Sequence, residues 1–140
     1  MPKAKLSSEY MTISELAELA GVNLQTIRYY ENLGLLPEPE RSDSGYRLYH
    51  SDYVEHIQFV KNSQDLGFTL DEIGDLVALR FSKKARGLDV KVFVRQKIAE
   101  IDLEIDQLKK QKKALETLDK SCSGDMKTSC CPILESLREA

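Results

Sequence analysis

Three cysteines near the end of the chain are the residues best suited to chemistry. Cys122 precedes the adjacent pair Cys130 and Cys131, and Ser, Gly, Asp and Lys residues surround them rather than an apolar run. Two or three thiolates on such a loop select soft or borderline ions, namely Cu(I), Ag(I), Hg(II), Zn(II), Cd(II) or Pb(II), and exclude hard ions such as Mg(II). The sequence therefore predicts a metal-binding loop. A thiol-redox sensor that uses Cys130 and Cys131 is the alternative.

A second group of side chains is suited to contacts with nucleic acid. Residues 12–33 have the pattern of two short helices joined at Gly21, with Asn23 as the N-cap of the second. In a helix-turn-helix this second helix lies in the major groove of DNA, where an arginine can bond a guanine or a phosphate through two N–H groups. The predicted DNA contacts of this helix are Gln25, Thr26, Arg28 and Tyr29.

Basic and aromatic residues alternate in the segment that follows. The glycine turn at Gly45 leads into a short extended stretch, which predicts a hairpin-like wing able to bind phosphates through guanidinium groups and tyrosine hydroxyls. The predicted contacts of the wing are Arg41, Tyr46, Arg47 and Tyr49. For Tyr49, packing in the core against the helix pair is the alternative.

Helices must position these groups. Ser51 is the predicted cap of a helix that closes at Leu66 and Gly67, and Thr69 with Glu72 forms a capping box for the next. Residues 89–119 contain neither glycine nor proline, which predicts one long helix. Its apolar positions recur in alternating steps of four and three, the period of a coiled-coil seam, at Val94, Ile98, Ile101, Ile105, Leu108 and Leu115.

This apolar seam would lie in water on a solitary helix. It must therefore pack on a second copy of the chain, the favoured interpretation, or fold back on the preceding domain. Lys91 and Lys112 fall on the same seam, and a polar residue there restricts the register of pairing. A short helix is predicted from Pro132 to Leu137 after the cysteine loop.

Composition and charge limit the remaining classes of function. The net charge is −3, and residues 12–80 carry twelve acidic against five basic side chains, so a helical scaffold without DNA binding is the main competing hypothesis. An enzyme is disfavoured because no Cys-x-x-Cys motif lies near a βαβ pattern and no histidine neighbours the thiols. His50 and His56 are expected to be surface or packing residues rather than ligands. No apolar run is long enough to span a bilayer, and a cytoplasmic protein is expected.

Four motifs together give the chain a family resemblance. They are Ile27-Arg28-Tyr29-Tyr30-Glu31, Gly34-Leu35-Leu36, Gly45-Tyr46-Arg47-Leu48-Tyr49 and Leu66-Gly67-Phe68-Thr69-Leu70-Asp71-Glu72-Ile73. In this order and spacing the sequence resembles the MerR family of transcription regulators from Met11 to about Leu137. The resemblance implies a homodimer that binds a pseudo-palindrome in promoter DNA, twists it in response to an effector and so lets RNA polymerase use it. It also implies DNA contacts by Arg28, Tyr29, Tyr46 and Arg47.

The same resemblance implies a division of the chain. A winged helix-turn-helix DNA-binding domain is expected over residues 11–80, a connector over 81–88, and a dimerisation helix that forms an antiparallel coiled coil over 89–120. The metal-binding loop and a short C-terminal helix are expected over 121–140.

Within the family the cysteines resemble those of the metal-sensing branch. Its members carry two cysteines about eight residues apart, before a Pro-Ile-Leu segment or similar, and Cys122 and Cys131 match this pattern. Sensors of divalent ions in this family carry a further cysteine near the position of Gly87, where this chain has none. In lacking that cysteine the chain resembles copper-efflux regulators, whose two thiolates hold a monovalent ion. Cu(I) is therefore the favoured effector. Cys130 as a further ligand keeps Hg(II), Pb(II), Cd(II) or Zn(II) as alternatives.

Overall fold

The architecture is mainly helical, with a small sheet in the first half of the chain. The computed structural model describes residues 9–139, which divide into one compact unit that ends at Val90 and a second that begins at Lys91. In chain order the elements are β1 (Tyr10–Met11), α1 (Ile13–Ala20), α2 (Leu24–Asn32), β2 (Glu40–Arg41), β3 (Arg47–His50), α3 (Tyr53–Asp65), α4 (Leu70–Phe81), α5 (Gly87–Lys120), a 3-10 turn (Thr128–Cys130) and α6 (Pro132–Arg138). The predicted fold class, a helical protein with a wing and one long helix, is confirmed.

Local hydrogen bonds define the helix pair α1 and α2. Thr12 Oγ1 accepts from the backbone N–H of Glu15 at 3.2 Å, and Glu15 Oε1 accepts from that of Thr12 at 3.0 Å, which is a complete capping box. Gly21 ends α1 in the left-handed region at φ 69°. Asn23 then caps α2 by accepting from Thr26 N at 2.8 Å. Such a cap contributes about 1 kcal/mol, so short helices form here with a sharp turn between them.

The core of the first unit consists of side chains from α1 to α4 and from β3, together with Leu35, Leu36 and Phe68 from the connecting segments. Its largest fully buried members are Tyr49, Leu16, Ile27, Ile57, Ile73 and Val60. Each buried aliphatic side chain contributes roughly 1.5–3 kcal/mol. Tyr30 of α2 is buried too, and its hydroxyl donates to Gln64 Oε1 at 2.7 Å, so this polar group is paired rather than orphaned.

The sheet has the antiparallel order β1-β3-β2, and its β2–β3 pair is the predicted wing. Arg41 pairs with Arg47 across the turn, while Met11 of β1 pairs with Tyr49 on the other side of β3. The strand β1 was not predicted from the sequence, because two residues are too few to show an alternation of apolar and polar side chains.

The next two helices test the other capping predictions. Thr69 and Glu72 form the predicted capping box at α4, with hydrogen bonds of 2.8 and 3.2 Å. The prediction of a Ser51 cap for α3 is wrong: Asp52 is the N-cap, and within the described residues its side chain makes no capping hydrogen bond. Ser51 instead donates its backbone N–H to Glu9 O at 2.7 Å beside the β1–β3 pair, and this bond holds it outside the helix.

The long helix α5 is continuous from Gly87 to Lys120, two residues longer at its start than predicted. Its 34 residues extend about 50 Å at about 1.5 Å per residue. Asp89 Oδ2 accepts from the backbone N–H of Arg86 at 2.8 Å and stabilises this earlier start, while α4 continues through Phe81. The connection is therefore residues 82–86, shorter than the predicted 81–88. Within residues 9–139 no helix is both long and apolar enough to cross a membrane.

Candidate metal centre and nucleic-acid interface

The cysteine loop follows α5 and turns back on itself. Gly124 takes a left-handed conformation at φ 86°, and the 3-10 turn Thr128–Cys130 leads into Cys131, the N-cap of α6. Through these turns Cys122 and Cys131, nine positions apart, come together with their Sγ atoms 3.8 Å apart. Both thiols are half-buried and free.

This pair of sulfurs fits the requirements of a shared soft ion. A separation of 3.8 Å is well beyond a disulfide bond of about 2.05 Å. Two thiolates bound to one ion through bonds of about 2.3 Å lie at most about 4.6 Å apart. The observed distance is inside that limit, so Cys122 and Cys131 could hold one ion with little movement of the loop.

The environment of Cys131 favours its thiolate form. The backbone N–H of Leu134 is the largest influence and lowers the pKa of the Cys131 thiol. Burial opposes it as the next largest influence, and the N–H of Ile133 and the Cys122 thiol lower the pKa further. The thiolate is the form that binds metal. The first turn of α6 thus favours the form of Cys131 that a metal site would need.

Cys130 is placed differently from its neighbour. Its side chain is exposed, and its Sγ lies 3.9 Å from Ser129 Oγ. Among the described residues no group of three or more His, Cys, Asp or Glu side chains converges in a way that could hold a metal ion. Cys130 therefore does not complete a three-thiolate site with the other two cysteines in this structure.

The loop also contains a sulfur that the sequence analysis missed. Met126 Sδ lies 3.3 Å from Cys122 Sγ, whereas Cys131 Sγ lies 3.8 Å from the same atom. The available signal was an apolar residue four positions after a cysteine in an otherwise polar loop.

Helix α2 presents two different faces. Ile27 and Tyr30 point into the core, whereas Gln25, Arg28 and Tyr29 are exposed on the opposite face. Thr26 is half-buried, and its hydroxyl donates to Asn23 Oδ1 at 2.9 Å, so it contributes to the cap of α2. The predicted contact residues Gln25, Arg28 and Tyr29 are thus available to a ligand on one surface.

The wing presents a second set of exposed groups. Arg41 Nη1 donates to Gly45 O at 2.9 Å and closes the hairpin, and Gly45 itself has φ 90°. Tyr46, next to this turn, is 74% exposed. Arg47 is exposed as well, and its Nη1 lies 3.3 Å from Glu31 Oε2.

The predicted DNA contact of Tyr49 is not possible in this structure. The sequence left open whether it contacts DNA or packs in the core, and the structure buries it completely. Its hydroxyl donates to Glu31 Oε1 at 2.6 Å, and burial followed by this bond raises the pKa of Tyr49. A fully buried ring cannot touch DNA, so Tyr49 is a core residue. Glu31, a motif residue to which the sequence assigned no contact, joins α2 to β3 through Tyr49 and Arg47.

The long helix leaves its predicted seam uncovered. None of the residues of α5, all of which lie in the described part of the chain, is buried. The six seam residues are between 37% and 64% exposed, with Ile101 the least and Leu115 the most accessible. Apolar side chains in such a row require a partner surface.

The sequence of the chain is similar to those of known proteins. Residues 11–79 match the family described as MerR HTH family regulatory protein, and residues 54–118 match MerR, DNA binding. The mercuric resistance operon regulatory protein of Bacillus cereus is 43% identical over 125 residues, which are 89% of this chain and 95% of that protein. The HTH-type transcriptional regulator CueR of Escherichia coli is 35% identical over 127 residues, which are 91% of this chain and 93% of that protein.

A solved structure agrees in fold over most of the chain. The crystal structure of a transcription regulator from Ralstonia metallidurans in complex with lead(II) matches with a TM-score of 0.84 and 35% identity, covering 91% of this chain and 98% of that chain. Family, sequence and fold thus match transcription regulators rather than enzymes. This chain belongs to the MerR family of helix-turn-helix transcription regulators.

Proposed function

We propose that this protein is a homodimeric, metal-responsive activator of transcription that senses Cu(I) or a similar soft monovalent ion. The observation that carries the proposal is the pair of half-buried thiols, Cys122 and Cys131, with their sulfurs 3.8 Å apart. Two thiolates leave a net charge of −1 on a complex with Cu(I), whereas a divalent ion usually takes a third or fourth donor. The absence of a converging third His, Cys, Asp or Glu in residues 9–139 supports the monovalent choice.

DNA binding is assigned to the exposed faces of α2 and the wing. Arg28 on α2, with Arg41 and Arg47 on the wing, supplies positive charge locally although the whole chain is acidic. Guanidinium groups on a helix and a wing can bond phosphates along neighbouring parts of a duplex. Gln25 and Tyr29 add hydrogen-bonding groups beside Arg28, and Tyr46 adds one on the wing.

Dimerisation is assigned to the apolar seam of α5. Its spacing of four and three is that of a coiled coil, which supports pairing with the same helix of a second chain. The antiparallel orientation of that pair is what the resemblance to the family implies. Two DNA-binding units held at a fixed separation fit a two-fold symmetric operator, and a small rotation between them would deform the DNA between the half-sites. That deformation would allow RNA polymerase to use the promoter. A bound ion would join Cys122 to Cys131 and so fix the loop between α5 and α6.

Divalent sensing through Cys130 is the second candidate. It is favoured by two relatives, one named for mercuric resistance and one solved with lead(II). Cys130 adjoins Cys131, and a rearrangement of the 3-10 turn would be needed to bring its exposed thiol to the same ion. The two candidates differ in whether Cys130 is required.

Single cysteine variants decide between them. Reduced Cys122→Ser, Cys131→Ser and Cys130→Ser proteins are titrated with Cu(I), Hg(II) and Zn(II) against competing chelators, and transcription is measured from a promoter recovered by selecting genomic fragments that the protein binds. We expect Cu(I) binding and activation to be lost in the first two variants and kept in Cys130→Ser. Full metal-dependent transcription in both Cys122→Ser and Cys131→Ser would refute metal sensing at this pair. Loss of the response in Cys130→Ser would favour the divalent candidate.

A further inference from the structure

Met126 occupies a position in the loop that core packing does not explain. Within residues 91–139 no residue is buried, and the Met126 side chain itself is 38% exposed. The loop nevertheless brings its thioether sulfur to 3.3 Å from Cys122 Sγ. Cys122 Sγ therefore has two other sulfurs within 4 Å, the second being Cys131 Sγ at 3.8 Å.

The chemistry of a thioether makes this placement selective. A thioether is a soft donor like a thiolate, but it carries no charge. Added to two thiolates and Cu(I) or Ag(I), it raises the number of bonds while the complex keeps its net charge of −1. A third thiolate in place of the thioether would make the net charge of the complex −2. Zn(II) is instead bound by thiolate, imidazole and carboxylate groups, among which a thioether has no place.

We propose that Met126 Sδ is a third, neutral ligand for the ion held by Cys122 and Cys131, and that it makes the loop selective for soft monovalent ions. This inference rests on the proposed metal-sensing function and deepens it. It assigns the third donor to Met126 rather than to Cys130, whose exposed thiol points to no converging group among the described residues.

Selenium provides a direct test of this ligand. The chain has three methionines, Met1, Met11 and Met126. The protein is labelled with selenomethionine and loaded with one equivalent of Cu(I), and X-ray absorption is recorded at the copper and selenium edges. We expect one copper–selenium and two copper–sulfur distances at bonding length. The copper–selenium distance should vanish in labelled Met126→Leu protein and persist in labelled Met11→Leu protein, the matched control.

Affinity gives the second readout. Loss of a direct ligand should weaken Cu(I) binding at least as much as loss of an outer-shell partner does, that is by about tenfold or more. In competition with a Cu(I) chelator, Met126→Leu should show this fall and Met11→Leu should not. Zn(II) affinity should be the same in all three proteins. Circular dichroism of Met126→Leu should keep the helical signal, because the substituted side chain lies in an exposed loop.

The outcomes separate this inference from the function on which it rests. If Cys122→Ser and Cys131→Ser abolish Cu(I) binding while Met126→Leu leaves both the affinity and the copper spectrum unchanged, the Met126 assignment is wrong and the two-thiolate sensor stands. A third sulfur that disappears in Cys130→Ser instead also overturns it. If the two cysteine variants bind Cu(I) as tightly as the unaltered protein, the proposed function itself fails.

Discussion

The Tyr49 hydroxyl donates to Glu31 Oε1 at 2.6 Å, a hydrogen bond that joins the wing strand β3 to the end of α2. Arg47 reaches the other oxygen of the same carboxylate at 3.3 Å. Glu31 is only 10% exposed, so both interactions are partly shielded from water. The two surfaces proposed to contact DNA, the outer face of α2 and the wing, are thereby held to each other by one carboxylate.

Replacement of Tyr49 by Phe should destabilise the protein by about 1–3 kcal/mol, because it removes the donor from a charged, nearly buried acceptor. The free energy of unfolding is measured by urea denaturation. The matched control is Tyr46→Phe, which removes a hydroxyl from a side chain that is 74% exposed and should change stability by less than about 0.5 kcal/mol. Equal stability of the two variants would contradict a structural role for the Tyr49–Glu31 bond.

Removal of Arg28 should weaken DNA binding and reduce its dependence on salt. If Arg28 bonds a phosphate, Arg28→Ala lowers the magnitude of the slope of log K against log salt by about one. Fluorescence anisotropy with a duplex selected from random sequence, at several salt concentrations, measures this slope. Arg138→Ala in α6 removes the same charge at a residue not assigned to DNA and should leave the slope unchanged. An unchanged slope in Arg28→Ala would remove Arg28 from the phosphate contacts; a bond to guanine would instead appear as lost sequence preference.

The seam of α5 should determine the oligomeric state. Ile101→Asp places a carboxylate on the seam and should convert the proposed dimer to monomer at micromolar concentration, since a charge desolvated in a coiled-coil interface is costly. Sedimentation equilibrium measures the mass. Leu103 lies on the same helix, off the seam, and is 70% exposed, so Leu103→Asp is the matched control and should remain dimeric. A dimer that survives Ile101→Asp but not Leu103→Asp would place the interface on another face.

Features decided by neighbouring residues were predictable from the sequence. The predicted cap of Asn23 on Thr26 and the predicted capping box of Thr69 with Glu72 each join residues three positions apart, and both are present. The pairing of β1 with β3 joins Met11 to Tyr49 across 38 positions, and a two-residue strand gives no pattern to read. The burial of Tyr49, which the local sequence left open, likewise depends on residues distant in the chain, because its hydroxyl meets Glu31, 18 positions away.

The candidate metal centre was predictable in part for a similar reason. The polar loop with its three cysteines is a local pattern, and the resemblance to metal-sensing members of the family singled out Cys122 and Cys131 among them. Which other side chains lie near these two thiols depends on the path of the chain through Gly124 and the 3-10 turn. This path brings Met126 close to Cys122 and leaves Cys130 exposed. A thiol is the more common metal ligand, so residue type alone favoured Cys130 over Met126 as a third donor. The turns of the loop instead place the Met126 sulfur beside Cys122.

His56 on α3 should make stability depend on pH. Burial is the largest influence and lowers the pKa of His56, with a further contribution from Arg80 and an opposing one from Asp52. Its ring packs against Tyr53 and Phe81, and its Nδ1 has no hydrogen-bond partner among the described residues. The unfolded chain therefore binds a proton at His56 at a higher pH than the folded chain does. The contribution of the neutral His56 ring to the free energy of unfolding is fully present above the ordinary histidine pKa of about 6.5. This contribution is lost as the pH falls below that value.

A comparison of two histidine variants tests this dependence. Between pH 8 and pH 5.5 the free energy of unfolding should fall in the unaltered protein, and His56→Phe should remove part of that fall because the new ring keeps the apolar contacts and cannot take a proton. In His50→Phe, which removes a histidine paired with Asp52 at 2.8 Å, the fall caused by His56 should persist. Urea denaturation at the two pH values measures each difference. A fall of the same size in His56→Phe and the unaltered protein would mean that carboxylates, rather than His56, account for the loss of stability in acid.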